Sequence, residues 1–287
     1  MTDEIEKDAH TGTETTGHEW DGIKELNTPL PKWWLYILYA TMIWAVGYWI
    51  LYPAIPLPGG QTTGLLGWTS RGAVKEDLRE LASLRAANVG QLNNSTLQQI
   101  NADPKLAEFA RAYGRSAFGN NCAPCHGSGG QGSKGYPNLN ADRWLWGGSL
   151  DQISQTITHG VRSGDPDGHE GAMPAFGKDG ILTKAQINDV ANYVLSLSNP
   201  TTADVSAGKT VFAENCSPCH GDNAKGNTDV GAPNLTTKIW LYGGDKESLV
   251  ETLTNGRGGH MPAWGGKLDP ATIKSLTVYV HSLGGGQ

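Results

Sequence analysis

Two nearly identical heptapeptides, "NCAPCHG" at residues 121–127 and "NCSPCHG" at residues 215–221, constrain this chain more than any other feature. They contain all 4 cysteines of the 287 residues, so none remains for a disulfide scaffold. Two C-x-x-C pairs fit a four-thiolate zinc site, and a lone pair fits a redox dithiol. Neither site needs the His that follows each second Cys, whereas a covalently attached haem does. The pattern therefore favours two haem c groups.

The spacing within each motif assigns roles to its residues. The two thiols can add to the two vinyl groups of one haem, and a His four residues after the first Cys lies on the same face of a helical turn. The expected attachment and axial residues are Cys122, Cys125 and His126 for the first haem, and Cys216, Cys219 and His220 for the second.

Two methionines are the expected opposite axial ligands. Met173 and Met261 each begin an "MPA" segment at matching places downstream of the two motifs. We therefore predict Met173 opposite His126, and Met261 opposite His220. His/Met ligation is typical of electron-transferring cytochromes c and raises the reduction potential. His169 and His260, each within a few residues of a Met, are the competing ligands.

The sequence around the motifs is also duplicated. "GRSAFGNNCAPCHG" matches "GKTVFAENCSPCHG", "YPNLNADRWLWGG" matches "APNLTTKIWLYGG", and "GAMPAFGK" matches "GHMPAWGG". Capping residues predict helices within each copy, such as the helix after Asp103 and the helix after Ser149. Strand-like alternation is scarce. The prediction is an all-α chain with two tandem domains, 104–199 and 200–287.

A third feature predicts a membrane anchor. Residues 33–52, "WWLYILYATMIWAVGYWILY", contain no charge and make a helix of about 30 Å, the thickness of a bilayer core, with aromatic residues at both ends. An uncleaved single span is expected, because 32 residues rich in acids precede it and prolines follow it. Residues 1–32 form a tail, and residues 53–103 form a helical spacer.

Charge excludes one class of partner. The formal net charge is -6, and residues 1–32 carry eight acids against three Lys. Residues 53–287 are nearly balanced and contain no basic stripe, so nucleic-acid binding is not expected. Lys24 and Lys32, close to the apolar segment, favour a cytoplasmic N-terminus.

The two copies resemble class I cytochrome c domains. The resemblance rests on a G-x-x-x-F pair before each C-x-x-C-H, then "PNL", the "MP" segment and a final helix with "YV". It implies that a glycine lets the first helix of each domain approach the last helix, where a tyrosine packs, and that a proline carbonyl accepts the other N–H of the axial His. It also implies that a tryptophan lines the haem pocket or donates a hydrogen bond to a haem propionate. Ordinary packing of this tryptophan in the core is an equal alternative. The residues concerned are Gly114, Gly208, Tyr193 and Tyr279 for the helix contact, Pro137 and Pro233 for the carbonyls, and Trp144 and Trp240 for the wall.

The N-terminal region is similar to one family in particular. "TGHEWDGIKELNTPLPKWW", the apolar segment, "YPA" and "LGWTSR" resemble the start of the dihaem subunit of cbb3-type cytochrome c oxidases. The resemblance implies a subunit of the bacterial inner membrane whose haem domains face the periplasm. It would take electrons from a soluble cytochrome c or the bc1 complex and pass them to the monohaem subunit. The haem-copper subunit would then reduce oxygen, so this chain would carry no catalytic residue.

The sequence leaves two alternatives to the oxidase subunit. One is a free-standing, membrane-anchored dihaem shuttle resembling the cytochromes c4. The other is a redox enzyme of the dihaem peroxidase or thiosulfate-oxidising type, which needs an open position on one haem. A Met available for each haem argues against this enzyme.

Overall fold

The computed structural model describes residues 5–284 and divides into two units, Met1–Leu84 and Arg85–Gln287. Residues 1–4 of the predicted tail and 285–287 of the second predicted domain lie outside the described residues.

The first unit contains the apolar helix and two small hairpins. Strands β1 (Thr15–Trp20) and β2 (Ile23–Leu26) are antiparallel, and β3 (Pro56–Leu57) pairs with β4 (Gly60–Gln61). Asp21 and Gly22, which join β1 to β2, both have positive φ, as a two-residue type I′ hairpin turn requires. Neither hairpin was predicted, because each strand is too short to show a pattern.

Helix α1 (Lys32–Leu51) agrees with the predicted span to within one residue at each end. Its side chains are exposed or half-buried along its whole length, although nearly all of them are apolar. Within the described residues it is the one helix long and apolar enough to cross a membrane. Helix α2 (Ser70–Asn94) follows and continues into the second unit.

The second unit is helical, which confirms the predicted all-α class. Helix α3 is Leu97–Ala102 and α4 is Pro104–Asn121, followed by the single turn α5 (Ala123–His126), α6 (Leu150–His159) and α7 (Lys184–Ser198). The second copy contributes α8 (Ser206–Asn215), the turn α9 (Ser217–His220), α10 (Lys246–Asn255) and α11 (Pro270–Gly284).

The helix packing exchanges elements between the two copies. Helix α4, from the first copy, packs against α11 at the end of the second, and α8 packs against α7. A Cβ added at Gly114 would overlap the backbone of Ser275 and lie 2.8 Å from Cβ of Tyr279. A Cβ added at Gly208 would lie 2.8 Å from Cβ of Tyr193. The expected glycine–tyrosine contacts form, but each with the tyrosine of the other copy.

Two of the hydrophobic cores that contain these exchanged contacts surround the motifs. One joins α4, α6 and α11 through Phe118, Ile153 and Leu276. The other joins α7, α8 and α10 through Val190, Phe212 and Leu249. Both copies carry the same residue types at the contacting positions, so the sequence could not show which copy supplies each partner.

Candidate haem sites

Each C-x-x-C-H motif forms one helical turn at the end of a longer helix. Cys122 caps α4 and begins the turn, and the N–H of His126 donates to its carbonyl at 2.9 Å. The second motif repeats this geometry, with His220 N–H 2.9 Å from the carbonyl of Cys216. Gly127 follows the first turn with φ +79°, where a Cβ would be strained, and lets the chain leave the helix.

Both histidines use one ring nitrogen within the protein. Nδ1 of His126 lies 3.1 Å from the carbonyl oxygen of Pro137, and Nδ1 of His220 lies 3.0 Å from that of Pro233. An N–H on Nδ1 that donates to this carbonyl leaves Nε2 unprotonated and available to a metal. Burial lowers the pKa of both imidazoles, against the opposing effect of the carbonyl, which favours the neutral ring that iron binds.

Each of the two segments that carry a methionine forms backbone hydrogen bonds with a segment of the other copy. Val161 and Met261 exchange backbone hydrogen bonds of 2.9 and 3.0 Å, and Met173 and Arg257 exchange bonds of 2.8 and 3.1 Å. Each crossing joins a residue of the first copy to a residue of the second. Gly160, directly before Val161, leaves room for the carbonyl of Met261.

The crossing brings each Met to the motif of the other copy. Met261 packs against the core that contains Phe118 and Cys122, and it lines the same cavity as His126. Met173 packs against the core that contains Phe212 and Cys216. Sequence order predicts the other pairing, Met173 with His126 and Met261 with His220.

The two competing histidines have other surroundings. The ring of His169 stacks on Trp146, with ring centres 4.2 Å apart, and its Nε2 lies 3.0 Å from Oγ1 of Thr156. His260 is exposed, although it lies on the rim of the cavity next to Met261. His169 is thus held by Trp146 and Thr156.

Comparison with known proteins covers the whole chain. Residues 12–58 match the N-terminal domain of cytochrome oxidase-cbb3, FixP; residues 111–198 match cytochrome c; and residues 203–280 match cytochrome C oxidase, cbb3-type, subunit III. The cbb3-type cytochrome c oxidase subunit FixP of Azorhizobium caulinodans is 60% identical over 98% of this chain and 96% of its own length. The chain belongs to the FixP/CcoP family of cbb3-type cytochrome c oxidase subunits.

Other members of the FixP/CcoP family are similar along their full length. FixP of Bradyrhizobium diazoefficiens is 58% identical over 100% of both chains, and CcoP of Cereibacter sphaeroides is 50% identical over 95% of both. The two cytochrome c domains of this FixP/CcoP chain account for two covalent haem c groups.

The residues of the first site fit such a group. A cavity of about 1070 Å³ is lined by the first motif, by Met261 and by Trp144, and it extends to Pro233 and Trp240 of the second copy. Nε1 of Trp144 is buried and has no hydrogen-bond partner among the described residues, which is rare for a buried donor. A haem propionate would provide the acceptor. In the second copy, Trp240 packs against the core that holds Cys216.

The first thiol of each motif is in an environment that favours its neutral form. Burial, then the neighbouring Cys of the motif, raises the pKa of the Cys122 and Cys216 thiols to about 11. The described structure contains no disulfide in either motif.

Three residues near the sites were not singled out from the sequence. Arg162 contacts both Met segments, Trp146 stacks on His169, and the ring of Tyr242 lies 4.4 Å below the guanidinium of Arg257. Trp146 and Tyr242 occupy the same position in the two "WL[WY]GG" segments, which was a usable signal. Arg162 has Gly258 at its place in the second copy, so comparison of the copies gave no signal for it.

Proposed function

We propose that this chain carries single electrons through two closed haem c sites towards the oxygen-reducing centre of a cbb3-type oxidase. The observation that carries the proposal is that each motif lies with a Met: His126 lines the same cavity as Met261, and Met173 packs against the core that contains Cys216. Bound haem supplies a one-electron change at iron, and the protein holds it with His and Met side chains that leave no position for a substrate.

The proposed ligands follow the crossed packing. Cys122 and Cys125 attach the first haem, with His126 and Met261 as its axial residues. The second haem is attached by the Cys of the second motif, with axial residues His220 and Met173. Pro137 and Pro233 hold the imidazoles, and Trp144 and Trp240 line the two haem sites.

The proposed partners are the haem-copper subunit and the monohaem cytochrome c subunit, with a soluble cytochrome c or the bc1 complex as electron donor. Support comes from relatives named as cbb3-type oxidase subunits along their full length. Helix α1 anchors the chain in the bacterial inner membrane. The N-terminus is cytoplasmic and the haem domains are periplasmic, as Lys24 and Lys32 favour.

Gentle solubilisation of membranes followed by affinity purification of this chain tests the proposal. Copurification of high-spin haem and copper with oxygen-reducing activity is the expected result. A dihaem band alone, active only as a carrier, would instead support the free-standing shuttle. Tight carbon monoxide binding to one haem of the reduced, intact chain would indicate an open site and a redox enzyme.

A further inference from the structure

One side chain, Arg162, contacts both Met-bearing segments. Its Nε donates to the carbonyl of Gly259 at 2.6 Å, and its Nη1 donates to the carbonyl of Gly171. Gly259 lies two residues before Met261, and Gly171 lies two residues before Met173. A single guanidinium therefore joins the two segments that carry the proposed thioether ligands of different haems.

The backbone holds Arg162 in an unusual conformation. Its φ is +49°, in the left-handed region that favours glycine. Its N–H donates to the carbonyl of His169 at 2.6 Å, and Val161 is fixed by the two bonds to Met261. Surrounding contacts must maintain a strained residue of this kind. The planar guanidinium, with its donors at fixed angles, suits two carbonyls in different directions.

The second copy has no equivalent side chain. Arg257 pairs with Met173 through the same two backbone hydrogen bonds that join Val161 to Met261, so Arg257 is the counterpart of Val161. Gly258 is therefore the counterpart of Arg162. The guanidinium of Arg257 stays within the second copy, with Nε 3.0 Å from Oγ1 of Thr252 and Nη2 3.3 Å from Glu251. Among residues 5–284, Arg162 alone donates side-chain hydrogen bonds to both Met segments.

We propose that Arg162 is a positioning residue that holds both Met segments at once, so that its loss weakens Met ligation at both haems together. This inference rests on the proposed His/Met ligation. It predicts that ligand release at the two haems is linked, although the two methionines belong to different cores.

The test uses the full-length, dihaem protein and its Arg162→Gln variant. Two signals report ligation: the Met-to-iron charge-transfer band of the oxidised protein, and carbon monoxide binding to the reduced protein. The variants Met173→Ala and Met261→Ala each remove one proposed ligand, so they give the change in both signals that is expected when one haem opens. We expect Arg162→Gln to increase carbon monoxide affinity at both haems by about tenfold or more, the effect of losing a hydrogen bond from a charged donor. Arg111→Gln, at an exposed position of α4, is the matched control.

Arg162→Gly separates the side chain from the backbone strain. Glycine adopts positive φ without steric strain, so this variant relieves the strain at residue 162 while it removes the side chain. Both haems should again open. A change confined to one haem, or none in either variant, overturns the proposal while leaving the Met ligands intact. If Met173→Ala and Met261→Ala leave the charge-transfer band unchanged, the proposed ligation is wrong and the role of Arg162 fails with it.

Discussion

At the scale of single residues, the two candidate haem sites are almost alike on the His side. The distances from Nδ1 to the proline carbonyl, 3.1 Å for His126 and 3.0 Å for His220, are nearly equal. Each of these contacts lies within one copy. Each Met, in contrast, packs against the core around the motif of the other copy, which makes Met pairing the decisive residue-level question.

Removing one haem decides the Met pairing. In a variant with both Cys122→Ser and Cys125→Ser, only the second haem is attached. Adding Met173→Ala is expected to open that haem to carbon monoxide, because Met173 packs against the core around Cys216. Adding Met261→Ala should leave it closed.

The control for this experiment is the parent variant, whose remaining haem must keep its Met-to-iron band. A mirror variant that lacks the two Cys of the second motif should show the reverse dependence. If Met261→Ala instead opens the second haem, the ligands pair within each copy in solution, as sequence order suggested.

In the haem-free chain, the buried histidines predict a loss of stability in mild acid. Burial lowers the pKa of His126 and His220 from 6.5, so below that pH the unfolded chain binds protons that the folded chain does not. The contribution of each His to the free energy of unfolding is fully present above about pH 6.5 and decreases below it, by up to about 1.4 kcal/mol per pH unit. Urea midpoints of the haem-free chain at about pH 7.5 and about pH 5.5 measure the effect.

A second group of residues titrates in a separate, lower range. Hydrogen bonds lower the pKa of Asp165, Asp204 and Asp245 from 3.8, so their contribution is lost only as the pH falls below that value. A urea midpoint that stays constant down to about pH 4 would contradict the prediction for the histidines.

At the scale of elements, the contact between α4 and α11 depends on Gly114. An added Cβ would overlap the backbone of Ser275, which cannot move without shifting α11. We expect Gly114→Ala to lower the free energy of unfolding by about 1–3 kcal/mol, the usual cost of overpacking. Gly119→Ala, in the same helix but with open space around it, should instead raise it by about 0.5–1 kcal/mol. Urea denaturation of both variants tests the contact, and equal effects would show that α4 is free of α11.

Local signals predicted the helices because caps act over a few residues. The side chains of Asp103, Ser149, Thr183 and Asp245 accept hydrogen bonds from N–H groups of the first turn of α4, α6, α7 and α10. The pairing of helices was not predictable in this way. Gly114 and Gly208, like Tyr193 and Tyr279, are equivalent in the two copies, so no residue type distinguishes a contact within a copy from an exchanged one.

At the scale of the whole molecule, the exchange gives the two haem cores different connectivity. The core around the second motif uses α7, α8 and α10, with Met173 before them, so its residues form one continuous stretch of chain. The core around the first motif uses α4 and α6 together with Met261 and α11, so it is interrupted by that stretch. The boundary suggested by the repeat, near residue 199, falls inside the continuous core.

This connectivity predicts which fragment forms a complete haem site. A periplasmically expressed fragment of residues 172–257 contains Met173, α7, the second motif and α10, so its haem is expected to show a Met-to-iron band and to exclude carbon monoxide. A fragment of residues 200–287, of similar length, lacks α7 and Met173 and carries only Met261. Its haem should bind carbon monoxide more readily and its urea midpoint should be lower, because α8 loses the helix that contacts Gly208. If the 200–287 fragment instead excluded carbon monoxide and had the higher urea midpoint, each copy would form an independent domain, as the sequence predicts.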